Sequence, residues 1–240
     1  MKIDAYFTVP EVEPAALAGA TVVVIDVVRA TTSIIEALAN GARAIYPMTS
    51  IEDAVRLASS LGRDDTLLCG ERKGLKIEGF DLGNSPREFS AEVVGKMKLV
   101  MSTTNGTAAL AAGREGDRLL ACAFTNLGAV ARAVAGDGHL VVICAGRDDR
   151  FSLDDALCAG HLVERLTNAA GEAHEINDAA DAARALAGSR DPSRAVLEAT
   201  VGGALLAGIG MQDDLDICAE LDRHDIVAEM KDQAITAAGR

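Results

Sequence analysis

The chain has 240 residues, a formal net charge of −13 and 49% hydrophobic residues, which fits a folded α/β protein and excludes a disordered tract. Such acidity excludes the clustered Lys and Arg that phosphate backbones need, so neither nucleic acid nor an anionic membrane is an expected partner. Aromatics at 3% with no Trp leave an aliphatic core and no stacking platform for single strands.

The opening MKIDAYFTVP has no signal-peptide core, and Ile3 to Thr8 alternates like a strand. Thr21 to Val28 is a strongly apolar strand that delivers Asp26 and is followed by Arg29. Thr32 or Ser33 then caps a helix through Ile34, Ile35 and Leu38, which stops at Asn40-Gly41. Ala44 to Pro47 reads as a strand, and Ser50 caps a helix ended by Gly62. Thr66 to Cys69 is the next strand, followed by a Gly-rich loop from Gly70 to Pro86 and a short helix from Arg87 to Val94. Leu99 to Met101 leads into STTNGT and a helix from Ala108 to Gly113.

Leu119 to Ala123 is a strand, with Asn126 capping a helix through Val130 and Val134. Leu140 to Cys144 is a further strand, and Ser152 caps a long helix from Leu153 to Thr167. From Glu175 the chain is Ala-rich and helical, with Ile226 to Val227 as a last strand. The uncharged run Ala199 to Gln212 is shorter than the ~20 residues of a membrane span and reads as a core helix. Most strand-helix units recur at about 20 to 23 residues, which implies right-handed crossovers. The expectation is one α/β domain over residues 1–240, a three-layer α/β/α arrangement on a mainly parallel or mixed sheet, with an Ala-rich helical C-terminal part.

The five cysteines lack CxxC spacing and read as buried reduced thiols of a cytoplasmic protein, and the four histidines lack zinc-site spacing. In open parallel sheets ligands bind beyond the carboxyl ends of the strands, and here those ends are polar. Asp26, Arg29, Thr31 and Thr32 follow one strand. Glu71, Arg72, Lys73, Asp81, Asn84 and Ser85 lie in the loop after another. Ser102 to Thr107, Asn126, and Gly146 with Arg147 follow the rest.

Each group has a bland alternative. Asp26 could be a turn residue, and Thr31 and Thr32 serve as caps in any case. Asn105-Gly106 could make a hairpin, but the helical AALAA after it favours an anion-binding nest. Asp154 and Asp155 read as complements to their own helix dipole, and Asp213, Asp214 and Asp216 as a solvated face. Loops above ~12 to 15 residues are often active-site lids, which singles out Gly70 to Pro86.

Carboxylates, hydroxyls and amides together suit a hard cation such as Mg²⁺, and arginines with helix starts suit phosphate or sulfonate. No GxxxxGK[ST] and no GxGxxG after a strand is present, so a P-loop NTPase and a dinucleotide site are disfavoured. Val28 stands where aspartate-nucleophile phosphatases of the haloacid dehalogenase type carry a second acid. Cys144 to Arg150 matches the Cys-x5-Arg loop of cysteine-dependent phosphatases, a loose rival pattern with two acids inside the cradle.

DVVRATTS from Asp26, GERKGLKIEGFDLGNSP from Gly70, STTNGT from Ser102 and CAGRDDRFSLDDALCAG from Cys144, in that order, resemble the 2-phosphosulfolactate phosphatase family. DLDICAELDRHDIV from Asp214 resembles its closing segment. The resemblance implies a Mg²⁺-dependent phosphatase that converts 2-phospho-3-sulfolactate to sulfolactate and phosphate, a step on one route to coenzyme M. On that basis Asp26, Arg29 and Glu71 are the catalytic candidates, with Mg²⁺ on Asp26, and Glu71 and Asp81 as further metal ligands or as orienters of the attacking water; the alternative role for Asp26 is that of nucleophile on phosphorus. Thr31, Thr32, Arg72, Asn84, Ser85, Thr103, Thr104, Asn105, Gly106, Thr107, Asn126 and Arg147 are the candidates for holding a small phosphorylated hydroxy acid. Three alternatives stand beside this: a phosphatase for another 2-phospho-hydroxy acid, one using Cys144, and a non-catalytic anion-binding protein. A homodimer is compatible with the sequence.

Overall fold

The computed structural model describes residues 1–169 and 174–238. Its strands are β1 (Lys2–Tyr6), β2 (Thr21–Ile25), β3 (Ala44–Pro47), β4 (Thr66–Arg72), β5 (Leu75–Lys76), β6 (Lys98–Ser102), β7 (Arg118–Cys122), β8 (His139–Cys144), β9 (Glu175–Ile176), β10 (Ala228–Lys231) and β11 (Ala234–Ala237). Between β2 and β9 run the helices α1 (Ala30–Ala39), α2 (Ile51–Leu61), α3 (Ala91–Val94), α4 (Gly106–Ala112), α5 (Leu127–Val134) and α6 (Leu153–Ala169). After β9 come α7 (Asp178–Ala187), α8 (Arg194–Glu198), α9 (Val201–Gly208) and α10 (Asp214–Cys218), the expected Ala-rich helical part.

The strands form one mixed, mostly parallel sheet in the order β5-β4-β6-β3-β11-β10-β7-β2-β8-β1-β9. It contains two parallel blocks, β3-β6-β4 and β7-β2-β8-β1-β9, joined by the antiparallel hairpin β10–β11. Three antiparallel steps in a row leave the two blocks running in opposite senses. In a flat sheet their carboxyl ends would lie on opposite edges. Strands rotate by about 20–25° per step, so the six steps from β2 to β4 accumulate roughly 120–150°. That twist swings the ends of β4 and β6 round towards the end of β2.

The curl leaves a concavity that α1 and α4 fill. Val22 and Val24 of β2 pack there with Ile34, Ile35 and Leu110, and so do Ile45, Leu99 and Met101 of the other block. Val23 and Ile25 point the other way, into a cluster with Val130 of α5 and Leu157 of α6. Outside the second block, Leu68 and Val100 pack on Ala54 and Ala58 of α2. The layers are therefore inner helices, sheet and outer helices, which is the expected three-layer α/β fold. It also explains why VVVI is apolar at every position: both sheet faces are covered, and each buried aliphatic side chain contributes about 1.5–3 kcal/mol.

Three local features differ from expectation. The strand expected to end at Cys69 continues to Arg72 and turns back through Lys73-Gly74 into β5, because both turn residues adopt positive φ (54° and 81°). Lys-Gly is not one of the usual hairpin signatures, so the turn was hidden. Ile226 and Val227 precede rather than form the last strand. The hairpin after them turns through Asp232 and Gln233, again both at positive φ. The helix expected over Arg87 to Val94 is split into a 3₁₀ turn, Pro86–Glu88, and α3, since Ser90 breaks the run as the α3 N-cap. All five cysteines are free and buried, as expected. No described helix is long and apolar enough to cross a membrane.

Candidate active site

A cavity of about 330 Å³ opens where the ends of β2, β4, β6 and β8 converge. Asp26, Glu71, Asn84, Thr104, Asn105 and Arg147 line it together with Arg29 and Thr103, so eight of the expected residues share one cavity.

Asp26 leaves β2 into the first turn of α1. Its Oδ1 accepts from the Ala30 N–H at 3.0 Å, so the carboxylate rather than Thr32 or Ser33 caps the helix, which begins at Ala30. Opposite, Gly106 comes so close that a Cβ there would lie 2.6 Å from Asp26 Oδ2 and 2.4 Å from the Ala30 Cβ. Only glycine lets α4 meet α1 at this point. Glu71 is held by two backbone donors, Gly74 N–H to Oε2 at 2.7 Å and Thr104 N–H to Oε1 at 2.8 Å. Burial, with help from the charges of Asp154 and Glu71, pushes the Asp26 carboxyl up to about 7. Burial thus favours the protonated form of Asp26 in the absence of a cation.

Arg29 reaches the cavity wall, but a buried carboxylate neutralises it. Nη1 meets Asp214 Oδ2 at 2.6 Å, and Nη2 donates to the Gly74 carbonyl at 2.7 Å. Ser85 Oγ donates to the other Asp214 oxygen at 2.6 Å. Arg29 and Ser85 thus position the Lys73-Gly74 turn and α10; Arg29 also lines the cavity, whereas Ser85 does not. Asp214 lies buried, not on a solvated face.

Other expected residues brace the site from behind. Thr31 Oγ1 donates to the Asp26 carbonyl at 2.8 Å and Thr32 Oγ1 to the Val27 carbonyl at 2.8 Å, fixing the loop after β2. Arg72 ties β4 to β6, donating to the Ser102 carbonyl and Oγ at 3.1 and 2.9 Å. The Thr107 N–H donates to Thr103 Oγ1 at 3.0 Å and Thr107 Oγ1 to the Thr103 carbonyl at 2.8 Å, which closes the first turn of α4. STTNGT therefore opens a helix, as expected, and is no hairpin. Two further expected residues do not line this cavity. Asp81 pairs with Arg63 at 3.0 Å and accepts from the Leu68 N–H at 2.8 Å, away from Asp26. Asn126 clips the end of β7 to the C-terminal segment through the Ala121 and Ile226 carbonyls.

Some residues of the cavity wall were not among the expected site residues. Lys73 lines the cavity from the hairpin turn, and Gly202, Leu205 and Leu206 of α9 form its apolar wall with Val28. The run Ala199 to Gln212 is thus core on one side and cavity wall on another. Asp155 accepts from the Val27 and Gly146 N–H groups at 2.8 and 3.1 Å, so it pins the β2 and β8 loops together. Asp154 is equally buried, and burial raises both carboxyls above their ordinary range. Acids opening a helix look the same whether they serve its dipole or a loop junction, so sequence alone could not separate the two roles. Cys144 points into the outer apolar cluster, and burial drives its thiol far above the range of a reactive thiolate. The cysteine mechanism is therefore set aside.

Could a divalent cation sit here? Among the described residues no three His, Cys, Asp or Glu side chains form a ready-made cage. Mg²⁺ does not need one, since one or two carboxylates, waters and substrate oxygens suffice. Asp26 and Glu71 supply the carboxylates. Asn84, on the same wall, has a buried Oδ1 with no hydrogen-bond partner. A hard-oxygen donor set of this kind fits Mg²⁺.

Fold and site together define the class: an α/β protein whose strand ends enclose a cavity lined by carboxylates, amides, hydroxyls and basic side chains. A family model described as 2-phosphosulpholactate phosphatase matches residues 6–233, and the chain belongs to that family, a family of phosphoric monoester hydrolases. It is 35% identical over 237 residues to the probable 2-phosphosulfolactate phosphatase of Clostridium beijerinckii, covering 98% of this chain and 99% of that one. The protein of the same description from Prochlorococcus marinus is 41% identical over 229 residues, covering 93% and 94%. That from Thermotoga petrophila is 36% identical over 203 residues, covering 84% and 85%.

Proposed function

We propose that the protein is a Mg²⁺-dependent phosphatase that hydrolyses 2-phospho-3-sulfolactate to 3-sulfolactate and inorganic phosphate, the step on a route to coenzyme M. The observation that carries this is the convergence of Asp26, Glu71 and Asn84 on one cavity, in a chain of this family. Asp26, Glu71 and Asn84 Oδ1 would hold the cation. When bound, Mg²⁺ would neutralise phosphoryl oxygens and polarise the phosphate towards attack. Lys73 and Arg147 face the same space and hold the substrate's negative charges. The fixed turns around Glu71 and Gly106 keep the carboxylates from shifting as charge moves to the leaving oxygen. The apolar wall of α9 excludes bulk water, which strengthens each of these interactions.

The test is phosphate release from 2-phosphosulfolactate with and without EDTA, beside the thermal midpoint with and without Mg²⁺. Activity lost with EDTA, and a Mg²⁺-dependent rise in midpoint that Asp26→Asn abolishes, are expected. Full metal-dependent activity in Asp26→Asn would misplace the centre. Turnover of 2-phospholactate alone would move the assignment to another 2-phospho-hydroxy acid, and tight binding without turnover would leave an anion-binding protein.

A further inference from the structure

The ladder between β2 and β8 ends on a side chain. Its register pairs Ile25 with Cys144, and the Ala145 N–H donates to the Ile25 carbonyl at 2.8 Å. In a regular parallel pair the next bond would run from the Val27 N–H to the Ala145 carbonyl. Instead the Val27 N–H donates to Asp155 Oδ1 at 2.8 Å. The N–H of Gly146, which stands opposite Val27 when the register is continued, donates to Asp155 Oδ2 at 3.1 Å. One carboxylate from the first turn of α6 therefore replaces a rung and stands between the two chains where they leave the sheet.

Those chains lead directly into the site. Val27 follows Asp26, whose carbonyl accepts from the Thr31 N–H at 3.0 Å, and Gly146 precedes Arg147. Gly146 takes φ 67°, and a Cβ on it would lie 2.5 Å from the Arg150 carbonyl oxygen, so the loop after β8 has little slack on its far side. Asp26 and Arg147 face the same cavity, and Asp155 binds the loop of each.

The arrangement is costly for stability. Asp155 is 2% exposed, and burial, then the nearby carboxylates of Asp154 and Asp26, disfavour its charge. An amide of the same size would lower that cost but could not make the same bonds. It presents one acceptor and one donor, whereas a carboxylate presents two acceptors to two N–H groups.

We infer that Asp155 is a positioning residue: its carboxylate fixes the separation of the Asp26 and Arg147 loops, and through them the geometry around the reacting group. Both its oxygens are taken by backbone donors, so it acts through the loops and not by contact with substrate. This role rests on the phosphatase reading above. Loss of one of the two bonds frees one loop, while the charges that attract the substrate remain, so kcat suffers more than KM.

The experiment compares wild type, D155N and V163A, the last a truncation in the outer cluster further along the same helix. Both variants should lower the urea midpoint. D155N should lower kcat for 2-phosphosulfolactate about a hundredfold with KM within about threefold, and V163A should leave kcat unchanged. A kcat in D155N within about threefold of wild type, a change confined to KM, or an equal fall in V163A overturns the inference, because each marks a purely structural role. If D155N does not fold, amide hydrogen exchange in the wild type decides. Val27 and Gly146 amides protected as strongly as those of β2 and β8 uphold the bridge, and free exchange of either overturns it. If the wild type turns over neither 2-phosphosulfolactate nor 2-phospholactate, the phosphatase reading fails, and calorimetric titration with inorganic phosphate decides the spacing by itself. Binding that weakens about tenfold in D155N but not in V163A upholds it, and no binding or equal binding overturns it.

Discussion

At Arg29 and Asp214 two opposite charges are almost wholly removed from water, with side chains 2% and 4% exposed. Such a pair contributes little net stability relative to an apolar pair, yet removing one partner strands the other. Asp214→Ala should therefore destabilise the protein by about 3–5 kcal/mol in urea unfolding, and Arg29→Met with Asp214→Leu should recover much of it. A loss below about 1 kcal/mol, the range of surface pairs, would show that the two charges are not buried together in solution. Asp26 makes a second prediction. Its folded-state carboxyl is raised from 3.8 to about 7, and Asp154 and Asp155 are raised with it. Between those values the folded chain keeps protons that the unfolded chain has released. The stability contribution is thus full below 3.8 and is lost as pH rises through about 7. In EDTA, the urea midpoint should fall from pH 5 to pH 8 and fall less in Asp26→Asn. A midpoint that climbs over this range would contradict the burial of these acids.

Among the elements, the start of α4 and the β4–β5 hairpin set the cavity's shape. Gly106→Ala places a methyl 2.4 Å from the Ala30 Cβ and 2.6 Å from Asp26 Oδ2, so α4 must move away from α1. Activity should fall by about a hundredfold, as misplacement by an ångström can do, while circular dichroism stays native. Lys73 occupies a left-handed turn position that glycine takes without strain. Lys73→Gly should raise stability by up to about 1 kcal/mol and raise KM at the same time, the usual exchange of strain for function. If KM is unchanged, Lys73 does not touch substrate. Much of this scale was legible beforehand. Val22 to Ile25 announced a doubly covered strand, Ser50 and Gly62 marked both ends of α2, and STTNGT opened a helix. The hairpins were not legible, because Lys73-Gly74 and Asp232-Gln233 owe their φ values to the strands that flank them and not to their own chemistry.

For the whole molecule, the last strands are a joint. β10 pairs with β7 and β11 with β3, so residues 228–237 hold together two blocks that otherwise meet through helices and loop contacts such as Arg29 to the Gly74 carbonyl. Ile235, buried and opposite Ile45, is the narrowest link. Ile235→Asp buries a charge at that seam and should leave the chain unfolded or aggregated, with native far-UV signal lost. A soluble, active Ile235→Asp would mean that helix packing alone aligns the blocks.

The sequence alone determined the α/β class, the repeated strand-helix unit, and the fact that acids, hydroxyls and amides gather at strand ends. These are local properties, set by hydrophobic period, capping residues and composition, and Asp26, Glu71, Asn84 and the Thr103 to Gly106 stretch could be found from them. Tertiary structure decided which of those groups meet. Asp81 and Asn126 lie at strand ends as Asp26 does, but ion pairs and backbone contacts hold them elsewhere. Asp214, distant in sequence, arrives beside Arg29. The meeting of β2 with β4 depends on twist accumulated over six strand steps and on the C-terminal hairpin that reverses the sheet's direction. That is a sum over the whole sheet, and no single stretch of sequence records it.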